Sequence, residues 1–214
     1  MTYLRVEKAT GHVTSSLGQR AFDVVVASLS LVAVSPLMIG IAIAICLESG
    51  RPVVFAHRRV GHQGRTFRVY KFRKFHRNCS DAGLQLTLAN DARFTRLGRL
   101  LASAKLDELP QFWNVLSGDM SIVGPRPESL QYLDCFKGEF AAVLNYKPGI
   151  FGPSQAAFRH ESVLFPKHGD LNDFYRSTLF PVKARMDLSY YPHRTLTSDL
   201  WWLLRGLAAS LRQR

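Results

Sequence analysis

The chain has 214 residues, with 28 lysines and arginines against 16 aspartates and glutamates and a formal net charge of +12. That length holds one domain, or one domain plus an anchor, and the basic balance suits nucleic acid, anionic lipid headgroups or phosphorylated small molecules without choosing among them. Cys46, Cys79 and Cys135 are odd in number, far apart and without CxxC or Cys/His metal spacing, which argues against a disulfide framework or a zinc site and for a reducing compartment.

The first element is an uncharged run from Val24 to Leu47, "VVVASLSLVAVSPLMIGIAIAICL". It is long enough to cross a bilayer, which takes about 20 apolar residues. As a signal peptide it is too long, its N-terminal region extends to Arg20, and "LESG" is a poor cleavage site. A single signal-anchor span is the plain reading. Two features favour a re-entrant helix that enters, breaks at Ser35-Pro36 and returns to the face it entered. Ser35-Pro36 lies at the centre, where proline removes a backbone hydrogen bond and clashes with the preceding turn at a cost of ~3 kcal/mol. A neighbouring serine hydroxyl can satisfy the carbonyl so freed. Positive charge also flanks both ends: Arg5, Lys8 and Arg20 before, then Arg51, Arg58, Arg59, Arg65 and Arg68 after. The positive-inside tendency puts both ends in the cytoplasm.

Beyond the anchor, "RPVVFAHRRVGHQGRTFRVYKFRKF" predicts two short strands around the turn Gly61-His62-Gln63-Gly64. Phe67, Tyr70 and Phe72 interleaved with Arg68, Lys71 and Arg73 would suit single-stranded nucleic acid. The adjoining anchor favours instead a basic hairpin on anionic lipid, each cation contributing about 1 kcal/mol, and no nucleic-acid partner is expected. Leu97, Leu100, Leu101 and Ala104 then predict a helix capped by Thr95 or Asp91. A second helix, starting near Asp107, carries Phe112, Trp113, Val115 and Leu116 until Gly118 stops it. Met120 to Val123 reads as a short strand entering the Gly124–Pro127 turn, Ser129 to Leu144 as a helix, and "KPGIFGPS" as a loop. Helices over 171–189 and 196–211 close the chain. In the last, Trp201 and Trp202 with Arg205, Arg212 and Arg214 suit an interfacial amphipathic helix, and packing on its own domain suits them equally. No GxGxxG or GxxxxGK[ST] loop occurs, so bound phosphates would rely on side chains and a metal.

Asp107 and Glu108 stand together in "LDELPQ". A structural reading makes Asp107 a helix N-cap, Glu108 a first-turn acid and Pro110 a first-turn proline, yet capping needs only one acid. A carboxylate can attack phosphorus when a divalent cation screens the repulsion, and a neighbouring glutamate is a hard oxygen ligand for Mg²⁺. Arg126, fixed between Pro125 and Pro127, can grip a phosphate bidentately; a plain rigid turn is the alternative.

In this order, "YKFRKF", "DARFTRLGRLL", "LDELPQFWNVLSGDMSIVGPRPE" and "KPGI" resemble the bacterial sugar transferase family, the monotopic phosphoglycosyl transferases. Ser35-Pro36 resembles that family's re-entrant anchor. The likeness runs from Gly18 to Leu211 and is to the short, minimal members. It implies an α+β, mainly helical, monotopic protein of the inner (cytoplasmic) membrane with a small β-hairpin and interfacial helices. Residues 1–50 would form the N-terminal segment and re-entrant helix, and 51–214 a cytoplasm-facing catalytic domain. The implied reaction moves a sugar-1-phosphate from a UDP-sugar to undecaprenyl (polyprenyl) phosphate with release of UMP. It would initiate exopolysaccharide, lipopolysaccharide or glycoprotein glycan synthesis.

By the same resemblance Asp107 is the nucleophile, forming an aspartyl-phosphosugar intermediate, and Glu108 binds Mg²⁺. Arg126 matches the phosphate-contacting arginine, Lys71 and Arg73 the basic "KFR" strand, and Asp187 the acid of the downstream "D..Y" segment. Lys147 and Arg159 join them as substrate contacts. UDP-sugar, polyprenyl phosphate and anionic membrane lipids are the implied partners, with a homodimer open. The chain departs from the pattern at Ala102, where a basic residue is usual and Lys105 is a substitute. It departs again from Phe151, where "GPSQAAFRHE" replaces a "GLWQV"-type continuation and Arg159 and Glu161 correspond to its polar positions. These departures leave the sugar unspecified. The competing classes are a single-span protein with a basic cytoplasmic interaction domain and a tethered nucleic-acid-binding protein; UMP release from a UDP-sugar separates the enzyme from both.

Overall fold

The computed structural model describes residues 16–77, 79, 91–166 and 168–211. Arg5, Lys8, Arg212 and Arg214, counted above as charge at the helix flanks, lie outside them. The described residues open with α1 (Leu17–Ser49), followed by the hairpin β1 (Val54–Val60) and β2 (Thr66–Phe72). Next come α2 (Arg96–Ser103), α3 (Gln111–Ser117), β3 (Ser121–Val123) and β4 (Gly149–Phe151). The remainder is helical: α4 (Pro153–Ala157), α5 (Leu171–Phe174), α6 (Phe180–Tyr190) and α7 (Leu196–Leu211). β1 and β2 pair antiparallel, and β3 and β4 pair parallel, as two separate sheets.

α1 begins at a capping box in which Ser16 and Gln19 exchange side-chain to backbone hydrogen bonds of 3.1 Å each. Its 33 residues run as one helix through Pro36, without the expected break at Ser35-Pro36, and are long and apolar enough to cross a membrane. Pro36 has no N–H for Val32 O, four residues back, and the Ser35 hydroxyl donates to that carbonyl instead at 2.9 Å. The two ends of α1 are fastened to the rest of the protein by polar contacts. Near its start, Arg20 donates to the terminal carbonyls of α3 at Val115 (2.7 Å) and Leu116 (2.8 Å), and Asp23 accepts from Ser121 Oγ and Ile122 N in β3. Near its end, Glu48 accepts from Leu97 N, and Arg73 donates to Ser49 Oγ and Gly50 O at 2.7 Å. Between these anchors Leu29, Val32, Leu37, Ile39 and Ile43 are exposed.

Among the described residues three clusters make the core. Ala27 of α1 packs with Val69, Val115, Met120, Ile122 and Leu203; farther along, Ile41 and Ile45 pack with Phe72 and Leu101. The third cluster joins Val60 and Tyr132 to Tyr175, Leu179, Phe180 and Ala184. A π-helical turn over Tyr175–Leu179 connects α5 to α6 just before Pro181. The wider turn accommodates a residue that lacks an N–H and crowds the preceding carbonyls.

The expected hairpin, the Thr95 cap on Gly98 N (2.8 Å) and the left-handed Gly118 (φ +88°) are all present. Three further expectations are corrected. The segment from Ser129 to Leu144 is not an α-helix; it forms 3₁₀ turns over Leu130–Cys135 and Gly138–Asn145, separated at Phe136 by a non-helical backbone and at Gly138 by a positive φ. The "KPGIFGPS" loop contains β4, drawn into pairing with β3. No helix starts at Asp107. Lys105 turns left-handed (φ +60°), Leu106–Glu108 form one 3₁₀ turn, and α3 begins after Pro110.

α7 packs inward through Asp199, Leu203 and Gly206, where a β-carbon would collide with the Phe151 ring. Outward it presents Leu196, Leu200, Trp201, Leu204 and Leu207.

A candidate active site at the acid pair

The left-handed Lys105 aims the following turn inward, leaving Asp107 only 2 % exposed. Its carboxylate caps nothing: Oδ1 is buried without a hydrogen-bond partner, and Oδ2 lies 3.9 Å from Lys74 Nζ. Lys74 is held in place from behind, since its carbonyl accepts from Thr95 N and a β-carbon at Gly98 would strike that same carbonyl. Glu108 bonds Lys71 Nζ at 2.6 Å. Each acid therefore has its own lysine, both from the end of the hairpin.

Glu108 opens on a cleft lined also by Arg59, Lys71, Gln111, Arg126 and Gln155. The hairpin register explains the floor. Phe55 faces Lys71, His57 faces Val69 and Arg59 faces Phe67, so the alternation of side chains puts Arg59, Val69 and Lys71 on one face. The far wall is the crossing of "GPRP" and "KPGI". A β-carbon at Gly124 would collide with the Lys147 carbonyl, and one at Gly149 with the Gly124 backbone. Only glycine at both positions lets these backbones meet. Gln155 Nε2 clasps them, donating to Gly124 O (2.7 Å) and Gly149 O (3.2 Å). Behind Arg126, the buried Lys183 joins Glu128 (3.1 Å), Glu161 (3.2 Å) and the Tyr175 hydroxyl (2.8 Å).

The charges work on one another strongly. Burial raises the Asp107 carboxyl, opposed by Lys71 and Lys74. Burial acts the same way on Glu108, but Lys71, Lys105 and Arg126 outweigh it and hold that carboxyl well below its usual range. Desolvation brings the Lys74 ammonium down to about 8. Burial opposes the charge on Arg126, while Glu161, Glu108 and Glu128 more than restore it.

Of the residues singled out from the sequence, Lys71, Glu108 and Arg126 meet in the cleft with Asp107 beside them. Arg73 does not join them; its guanidinium is turned to the carbonyl end of α1. Asp187 is buried behind α4, accepting from Ser154 Oγ at 3.0 Å, and burial lifts its carboxyl to about 7. Lys147 contributes backbone to the crossing, and neither its side chain nor the half-buried Arg159 lines the cleft. Arg59, Gln155, Lys74 and Lys183 are additions. Arg59 was discoverable, because alternation about the Gly61–Gly64 turn puts it on the same face as Lys71.

A divalent cation fits this donor set. Mg²⁺ is commonly held by one or two carboxylates, with substrate phosphates and water completing its shell. Asp107 Oδ1 is an orphaned hard oxygen next to Glu108, and among the described residues no cluster of three or more acidic, His or Cys side chains gathers to complete a shell without substrate.

The sequence matches the family described as bacterial sugar transferase over residues 14–213. A UDP-N-acetylgalactosamine-undecaprenyl-phosphate N-acetylgalactosaminephosphotransferase of Aeromonas hydrophila is 42% identical over 140 residues, 64% of this chain and 33% of that protein. A UDP-glucose:undecaprenyl-phosphate glucose-1-phosphate transferase of Caulobacter vibrioides is 41% identical over 148 residues, 67% of this chain and 55% of that protein. The exopolysaccharide production protein ExoY of Sinorhizobium fredii is 35% identical over 161 residues, 68% of this chain and 71% of that protein. The chain thus spans between a third and about half of the first two relatives. It belongs to the bacterial sugar transferase family.

Proposed function

We propose that the protein transfers a sugar-1-phosphate from a UDP-sugar to undecaprenyl phosphate, or another polyprenyl phosphate, through a covalent intermediate on Asp107. The observation that carries this is the Asp107 carboxylate itself, buried, used by no cap and set beside Glu108 and the arginine-lined cleft. An oxygen of Asp107 attacks the sugar-bearing phosphorus, the bond from that phosphorus to the bridging oxygen breaks, and UMP departs with the electron pair. A phosphate oxygen of the lipid then attacks the same phosphorus, the bond to Asp107 breaks, and the carboxylate is regenerated. Lys71 and Lys74 favour the ionised acids, and Arg126 orients the phosphates. Glu108, with Asp107 Oδ1, would hold Mg²⁺, which when bound screens the repulsion between carboxylate and phosphate. Lys71 would then yield its place on Glu108. Two of the named relatives are by name transferases that use undecaprenyl phosphate and the third is an exopolysaccharide production protein, and the product here would begin an exopolysaccharide, lipopolysaccharide or glycoprotein glycan.

α1 supports a re-entrant insertion from the cytoplasmic face of the inner membrane, with the body from residue 51 onward facing the cytoplasm. Both its ends are fastened to the same body, its apolar middle is bare and Ser35 satisfies the carbonyl freed by Pro36. A straight span would carry those ends to opposite faces. The exposed leucines and Trp201 of α7 suit the interface beside it.

The test uses UDP-sugar and Mg²⁺ without lipid. Wild type should release about one UMP per site and carry a sugar phosphate on the "LDELPQ" peptide, as a ping-pong enzyme does. Asp107→Asn should lose both; Glu108→Gln should weaken Mg²⁺ binding and regain activity at high Mg²⁺. UMP release only when lipid is present, with no adduct, would make attack direct and end the covalent reading.

A further inference from the structure

Two guanidinium groups face the cleft, and neither makes a hydrogen bond or ion pair within the described protein. Arg126 has its place in the phosphate site proposed above; Arg59 has no assigned task. They sit on paired backbones. Arg59 forms an antiparallel bridge with Ser129, three residues after Arg126, and Val60 N donates to Glu128 O at 2.9 Å. β1 thereby brings its arginine alongside the "GPRP" turn.

Glu161, Glu108 and Glu128 act on Arg126 through space, but their hydrogen bonds go to lysines. Glu108 is bonded by Lys71, and Glu128 and Glu161 share Lys183. Lysines take the acids and the two planar forks are left facing the cleft. Each offers five donors in a rigid geometry matched to phosphate oxygens. The two like charges also repel, and Arg59 is desolvated. A fold accepts this arrangement readily when an anion of matching charge enters between them. One phosphate is served by a single fork; two forks on facing segments suit two linked phosphates.

We propose that Arg59 is a substrate-binding residue that closes, with Arg126, on the diphosphate of a nucleoside diphosphate donor. This rests on the proposed function for the identity of the donor, and on the cleft alone for the diphosphate. Arg59 holds oxygens of the diphosphate while Arg126 holds it from the turn, so the sugar-bearing phosphorus stays in front of Asp107.

The test measures binding of UDP, UMP and inorganic pyrophosphate to the full chain in lipid nanodiscs with Mg²⁺ by calorimetry. Arg59→Gln should weaken UDP and pyrophosphate by about 10- to 100-fold, the loss of one charge-assisted fork, and shrink the preference for UDP over UMP. Arg59→Lys should recover only part, because charge returns without the fork. Equal melting temperatures of wild type and Arg59→Lys exclude a folding cause. Unchanged UDP and pyrophosphate binding in a folded Arg59→Gln overturns the clamp and leaves the transferase reading standing. Arg59-dependent pyrophosphate binding without UDP binding keeps the clamp and defeats the uridine donor. A wild type that binds neither refutes both.

Discussion

Replacing Lys183 with methionine tests whether the buried charge network behind Arg126 is real. The Lys183 side chain is 4% exposed, and its ammonium serves Glu128, Glu161 and the Tyr175 hydroxyl. Methionine fills a similar volume but strands two carboxylates. Removing one partner of a buried pair costs about 3–5 kcal/mol. Arg126 already pulls on Glu161, as does Lys183, against its burial, so the lower figure applies. For a protein of this size about 3 kcal/mol corresponds to a fall in Tm of roughly 6–12 °C. The pH dependence has a definite sign. Lys183 and Arg126 hold the Glu161 carboxyl low in the folded state, so its stabilisation is present above the unfolded pKa and is lost as pH falls through the folded one. In the variant that stabilisation is gone and the stranded acids can protonate, so the gap to wild type should narrow from neutral to mildly acidic pH. Differential scanning fluorimetry in nanodiscs reads both effects. Neutralising the acids as well, in Glu128→Gln/Glu161→Gln/Lys183→Met, should recover most of the loss. A Lys183→Met protein within about 1 kcal/mol of wild type at neutral pH, a surface-like effect, would refute the network.

Gly98→Ala should destabilise by about 1–3 kcal/mol or more, because its β-carbon meets the Lys74 carbonyl and backbone cannot yield; UMP release should fall with it as Lys74 leaves Asp107. Normal melting and turnover would contradict that contact. Asp187→Asn should change the pH profile of stability: burial raises this carboxyl from 3.8 to about 7, so stability present at low pH is lost as pH rises through that window, about 4 kcal/mol in all. The variant should lack this decline, and an unaltered profile in thermal scans would mean that Asp187 is solvated. In a background without Cys46, Cys79 and Cys135, single cysteines placed before Arg20 and after Arg51 should both resist an impermeant reagent in intact cells. Protection of one alone returns α1 to a plain span.

The features legible in the sequence were those set by near neighbours. The hairpin followed from alternation and glycines, α2 from Thr95, the end of α3 from Gly118, and the Ser35 hydroxyl on the freed carbonyl from a four-residue relation. What was missed depends on distant partners. Arg73 continues the alternation of Lys71, and local pattern sends it to the cleft; the unpaired carbonyls ending α1 take it instead. β4 is three residues of Pro/Gly-flanked chain that becomes a strand only where β3 passes. Asp107 reads as a cap until the left-handed Lys105 rotates it inward. Glycine in "GPRP" and "KPGI" looks like turn chemistry, whereas its role is to let two backbones touch.

The fastening of α1 at both ends sets an order of assembly. Arg20 waits for carbonyls 95 and 96 residues later, and Asp23 for groups 98 and 99 residues later. During synthesis the apolar helix leaves the ribosome well before its partners exist, at elongation rates of about 5–20 residues per second. A bilayer that receives the bare middle of α1 in that interval would shelter it from aggregation while leaving Arg20, Asp23 and Glu48 at the surface. With α1 inserted as proposed, the later segments would condense on a helix already lodged in lipid, and the membrane would act as the first template of the fold as well as its final support.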